Sequence, residues 1–273
     1  MIDLIKDNEL VHDKVAKKYD WRHIEIYNEV EQNRIGSVID SILKKFHKEK
    51  SSLKVLDYWA WTWNLTKFFL KNNCKVTSLD ISEESLSLLQ KSYSSYGNLE
   101  IQKFEGYEIP FEDWSFDIVA TYSVLHHIPD YIKALEDITR VINKGWILYI
   151  DHEHNKNHWN AWPELIAYTN SYNSFSNKLK TIISSGEILE FNFWKGVFIR
   201  QFINPKYANE WDIHVWKDDY IEWESIITYL TDHGFEIIAD IDYLWYHPYI
   251  SIEDYNLSKE KVNNMKYLIA RKK

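Results

Sequence analysis

The sequence predicts an α/β fold in which a seven-stranded, mostly parallel sheet carries helices on both faces. Three observations point there. Short apolar runs alternate with segments of helical spacing through residues 51–153. The first two runs, from Leu53 and from Cys74, each end in an acid, Asp57 and Asp80. Alternation of this kind implies parallel pairing with right-handed crossovers, which brings the strands' carboxyl ends, and any ligand, to one edge.

The elements follow in order. Residues 1–50 read as an N-terminal helical lid: a helix over about 8–19, and a second over Glu29–Lys48 whose Val30, Ile35, Val38, Ile39, Ile42 and Leu43 keep helical spacing. Residues 51–153 form the core: strands at 53–57, 74–80, 99–104, 116–122 and 146–152, with helices at 65–70, 83–94 and 130–142 between them. Residues 154–218 break the alternation and read as an insertion, with helices near 163–171 and 174–184 and a strand pair around 188–203. Residues 219–273 complete the core with a helix ending at Gly234, capped at both ends, and two β segments, 235–245 and 265–270.

Composition narrows the function. A formal net charge of -9 with scattered lysines leaves no nucleic-acid footprint, so a small-molecule partner is expected. No run of 18 apolar residues occurs, which predicts neither membrane spanning nor secretion and makes a cytoplasmic enzyme the expectation. The single cysteine, Cys74, excludes a disulfide framework and a cysteine-based zinc site. Oligomeric state leaves no mark on the sequence.

The loop after the first strand reads Asp57-Tyr-Trp-Ala-Trp-Thr-Trp-Asn-Leu-Thr66. With glycine at 59, 61 and 63 it resembles motif I of the class I S-adenosylmethionine (SAM) dependent methyltransferases. In that family, glycines let backbone pass close to the cofactor. Further motifs follow in order: Asp80 at the second strand's end, Phe104-Glu-Gly-Tyr-Glu-Ile-Pro-Phe111, Ser123-Val-Leu-His-His-Ile-Pro-Asp130, and Arg140-Val-Ile-Asn-Lys-Gly-Trp-Ile-Leu-Tyr-Ile-Asp151. The resemblance implies SAM lying over Asp57, Tyr58, Trp59, Ala60, Trp61 and Trp63, its ribose on Asp80, its adenine near Ile81, Glu105 and Gly106, and its methionine against Tyr122. It implies methyl transfer to oxygen or nitrogen of a small molecule, with the insertion shaping the acceptor pocket. His126, His127, Asp151 and His152 are the candidate acid–base residues.

Strand alternation places Asp151 with Glu153 on one side and His152 with His154 on the other. A metal on His152, His154 and His158 lacks a carboxylate at defined spacing, so no metal site is expected. The aromatic residues Phe191, Phe193, Trp194, Phe198 and Phe202 offer either a cage for an apolar or cationic acceptor or ordinary core.

One number stands out. Average usage would give roughly 19 glycines, whereas the chain has 7, along with 13 tryptophans. The excess falls where small residues belong: Trp59, Trp61, Trp63, Trp114, Trp146 and Trp211 all occupy expected turns, while Trp216 and Trp223 sit among aliphatics. The expectation is that UGA codons meaning glycine have been written as tryptophan. The alternatives are a catalytically inactive binding protein whose cofactor loop is plugged by Trp59, Trp61 and Trp63, and an NAD-dependent enzyme.

Overall fold

A computed structural model describes residues 4–16, 23–45, 49–61, 63–106, 108–173 and 221–273. One seven-stranded sheet organises them, in the order β3-β2-β1-β4-β5-β7-β6. β1 (Lys54–Tyr58) sits centrally, parallel to β2 (Lys75–Asp80) on one side and β4 (Phe116–Tyr122) on the other. β3 (Leu99–Lys103) lies parallel outside β2, and β5 (Ile142–His154) parallel outside β4. β7 (Met265–Lys272) runs antiparallel between β5 and β6 (Phe235–Tyr243). The register sets Asp57 opposite Ser78 and Ala120, and Tyr122 opposite Asp151, so the ends of β1, β2, β4 and β5 share one edge.

Helix α1 (Leu4–Val15) and helix α2 (Glu29–Lys44) lead into the sheet. Next come α3 (Thr66–Lys71), α4 (Glu83–Tyr93), α5 (Tyr131–Val141), α6 (Pro163–Tyr172), α7 (Trp223–Asp232) and α8 (Ile252–Ser258). Local capping explains several starts: the side chains of Asn28, Ser82 and Asp130 accept from the backbone N–H of Glu31, Ser85 and Lys133. Two apolar cores cover the sheet, one built on Leu56, Leu79, Val119 and Leu148, the other on Val55, Val76, Ile118 and Ile147. Those two sets alternate along their strands, as a sheet buried on both faces requires.

Boundaries differ from the expectation in physically readable places. α1 starts at Leu4 rather than near residue 8. Among its described side chains the buried ones are Ile5, Asn8 and His12, two of them polar, which obscures an apolar period. α2 ends at Lys44 rather than Lys48. α7 has no side-chain cap at Glu222, contrary to the expected capping at both ends, although Gly234 (φ 83°) closes its other end. The expected helix at 174–184, the strand pair at 188–203, the aromatic group 191–202, Trp211 and Trp216 lie outside the described residues. Among the described residues, no helix is long and apolar enough to cross a membrane.

Candidate functional site

The loop leaving β1 hugs the end of β2. Ala60 N–H donates to Leu79 O at 3.0 Å, and Trp61 N–H donates to Asp80 Oδ2 at 2.8 Å. Asp80 Oδ1 accepts from Ser82 N–H at 2.8 Å, so two backbone donors fix the carboxylate between the loop after β1 and the start of α4. Burial pushes its pKa up to about 6 despite those donors. Asp57 turns the other way, accepting from Thr66 Oγ1 at 2.6 Å and so tying β1 to the start of α3.

Burial pushes Asp57 up to about 7, against the opposing Thr66 bonds. Between its unfolded value of 3.8 and about 7, the folded chain holds a proton the unfolded chain has released. Stability contributed at Asp57 therefore falls as pH rises through that window. Asn keeps the Thr66 bond without titrating. Asp57→Asn is accordingly expected to match the parent near pH 4 and to exceed it by about 2–4 kcal/mol at pH 8 in urea unfolding. An equal difference at both pH values contradicts the assignment.

α1 lies over this edge. Lys103 Nζ meets Glu9 at 2.6 Å, Ser82 Oγ donates to Asp13 at 2.6 Å, and the His12 ring sits 3.8 Å from that of Trp61. Beneath its first turns a cavity of about 160 Å³ is lined by Ile5, Lys6, Glu9, Ile81, Phe104 and Glu105. Gly106 (φ 99°) packs directly against α1: a Cβ there would stand 2.6 Å from Ile5 Cγ2. Gly106→Ala is expected to lower stability by about 1–3 kcal/mol through clash and left-handed strain, read as a lower denaturation midpoint.

The other expected cofactor residues divide. Asp57, Trp59, Ala60, Trp61 and Tyr122 line one space together with Asn64, and its volume is about 10 Å³. Tyr58 is turned away, its hydroxyl donating to Gly106 O at 3.3 Å. Trp63 packs near Tyr27 and Tyr93, with ring centroids 6.4 and 6.5 Å away.

Trp59 and Trp61 fill the crevice: they are 1% and 8% exposed, and the indole N–H of Trp59 is buried without a hydrogen-bond partner. Their backbones are left-handed, φ 56° and 52°, while Trp63 has φ 153°. Such conformations cost a bulky residue about 1–3 kcal/mol each and cost glycine nothing comparable.

A buried polar cluster adjoins the crevice. Arg34 of α2 bridges Glu31 (2.5 Å) and Asp151 (2.9 Å), its guanidinium 4.0 Å from the Tyr243 ring centroid. Tyr122 donates to Glu31 at 2.9 Å, and Tyr149 donates to Asp151. His152 Nδ1 lies 3.0 Å from Tyr243 Oη and 3.4 Å from Glu31, and its ring stacks on Tyr122 at 4.6 Å. Burial acts to raise the Glu31 carboxyl, but Arg34 overrides it and holds the group well below the usual carboxylate range.

The expected alternation of residues 151–154 fails, because the ladder slips between Ile150 and Glu153 and His152 takes φ 59°. Asp151 and His152 therefore meet in one cluster. Glu153 goes elsewhere, accepting from Val124 and Leu125 N–H (both 2.8 Å) and meeting His126 Nδ1 at 2.7 Å. His127 contacts Trp61 and His12, at centroid distances of 5.6 and 5.9 Å, and His154 stacks on His158 at 3.6 Å, apart from His152's partners.

Sequence reasoning missed Glu31, Arg34 and Tyr243. The i, i+3 spacing of Glu31 and Arg34 hinted at a pair, but Asp151 lies 117 positions further on.

Comparison with known proteins agrees with the geometry. Residues 62–150 match the family model described as a methyltransferase domain. Over that stretch the chain is similar to methyltransferase domains. Demethylmenaquinone methyltransferase of Staphylococcus aureus is 31% identical over 152 residues, 53% of this chain and 61% of that protein. The match thus spans about three fifths of the length of such curated relatives. Among solved structures, magnesium protoporphyrin IX methyltransferase from Synechocystis with bound SAM aligns at TM-score 0.56 and 14% identity, over 98% of this chain and 97% of that one. The [4+2]-cyclase SpnF aligns at TM-score 0.53 and 14% identity, over 87% and 81%. Likeness at these identities concerns the fold of the methyltransferase domain.

A cavity remains beside Ile81 and Glu105, whereas the space lined by Asp57, Trp59, Trp61 and Tyr122, about 10 Å³, has room for one water.

Proposed function

We propose that this methyltransferase-fold chain serves methyl transfer from SAM to oxygen or nitrogen of a small molecule, with S-adenosylhomocysteine as product. The supporting observation is Asp80: a buried carboxylate at the tip of β2, held by the backbone N–H groups of Trp61 in the loop after β1 and of Ser82. A carboxylate so placed suits a ribose diol. Ile81 and Glu105 line the cavity next to it, where an adenine would lie. His126, held by Glu153, and His152, held by Tyr243, are the proton-handling groups of this reading. Asp151, bridged by Arg34, is the orienting group of this reading. Residues 154–218 would shape the acceptor pocket, and the curated relatives' quinone-type acceptor suggests a ring substrate.

The test is incubation of the chain carrying Trp59→Gly, Trp61→Gly and Trp63→Gly with methyl-labelled SAM and a metabolite extract. Labelled product together with S-adenosylhomocysteine is expected. SAM bound but unconsumed in every extract contradicts methyl transfer. A second reading, a binding protein without catalysis, draws support from one observation: Trp59 and Trp61 are buried in the loop after β1 and leave a space of only about 10 Å³ beside Tyr122.

A further inference from the structure

We infer that positions 59, 61, 63 and 114 are glycine in the protein its host makes, their codons being UGA read as glycine and written here as tryptophan. Backbone geometry carries this. Among the described non-glycine residues, seven have positive φ: Trp59, Trp61, Trp63, Asn73, Trp114, Ser123 and His152. Asparagine visits that region readily, but tryptophan gains nothing local from it, and four of the seven are tryptophan. A residue type chosen for its indole would not collect where a Cβ is least welcome.

The indoles tell the same story. Trp223 donates its N–H to His154 O at 2.9 Å and Trp245 to Glu25 O at 3.2 Å, as buried tryptophans ordinarily do. Trp59, 1% exposed, has no partner for its N–H. Trp114 is 57% exposed on a turn at the opposite edge of the sheet, at φ 56°, so its conformation owes nothing to the cofactor crevice. Trp146, expected from the sequence to belong with them, does not have a positive φ; the neighbouring Gly145 takes the left-handed position at φ 84°. The inference therefore stands on four positions.

At 59, 61 and 63 it rests on the SAM reading of the crevice; at 114 it does not. The test is the gene's codons together with peptide masses from the native protein. UGA at all four positions, UGG at 223 and 245, and glycine masses are expected. UGG at 59, 61 or 63, or tryptophan masses there, overturns the inference. Recombinant variants give a second readout: Trp114→Gly is expected to raise the unfolding midpoint by a few degrees, whereas Trp223→Gly lowers it. A fall for Trp114→Gly contradicts the inference. UGA codons with no SAM binding by the glycine chain would sink the methyl-transfer reading alone, and UGG codons with SAM binding would sink this inference alone.

Discussion

Replacing Arg34 with methionine is expected to cost about 3–5 kcal/mol of stability, the largest loss from any single side chain in the polar cluster. Arg34 is the only guanidinium reaching Glu31 and Asp151 among the described contacts, and those carboxyl groups are 2% and 0% exposed. Methionine keeps the volume against Tyr243 but leaves the buried carboxylates uncompensated. Glu31 is held below its ordinary range by Arg34, so its contribution to stability is present above the unfolded value of 4.5 and lost as pH falls through the lower folded value. The deficit of Arg34→Met should therefore shrink under acid conditions. Urea unfolding at pH 7.5 and pH 3, inside the window where Glu31's contribution is being lost, checks both points, and a deficit below about 1 kcal/mol at pH 7.5 would assign the cluster to solvent-screened pairs.

A second large effect is expected at the crevice itself. For SAM to enter the chain as written, the side chains of Trp59 and Trp61 must leave buried positions. Re-exposing each costs about 1.5–3 kcal/mol, so the pair weakens binding by about 10²–10⁴-fold relative to glycine. Glycine at 59, 61 and 63 also removes three positive-φ tryptophans. The same substitutions that open the crevice should thus relieve backbone strain and offset part of the lost apolar burial.

Much of this was legible in the residues alone. β1 and β2 announce themselves because apolar runs end in acids, and β4, Phe116–Tyr122, falls where expected because it is buried along its whole length. The reversed β7 follows from the last two β segments. Asp80 could be placed because a strand tip fixes its side chain. By contrast, the face of α1 was hidden behind Asn8 and His12. The pairing of Arg34 with Asp151 joins α2 to β5, a contact no local pattern encodes. The sorting of Asp151, His152 and Glu153 was misread because period-two reasoning assumes an unbroken ladder, and the bulge at His152 breaks it. The odd tryptophans were visible as composition; what made four of them anomalous was φ, which composition does not report.

The most direct test is titration calorimetry of SAM against two forms of the chain, as written and with glycine at 59, 61 and 63. The account predicts micromolar binding by the glycine form, at least about 100-fold tighter than the form as written, and loss of that binding when Asp80 is also changed to Asn. Equal affinity of the two forms, or no heat from either, would contradict a crevice built for the adenosyl cofactor and closed by tryptophan.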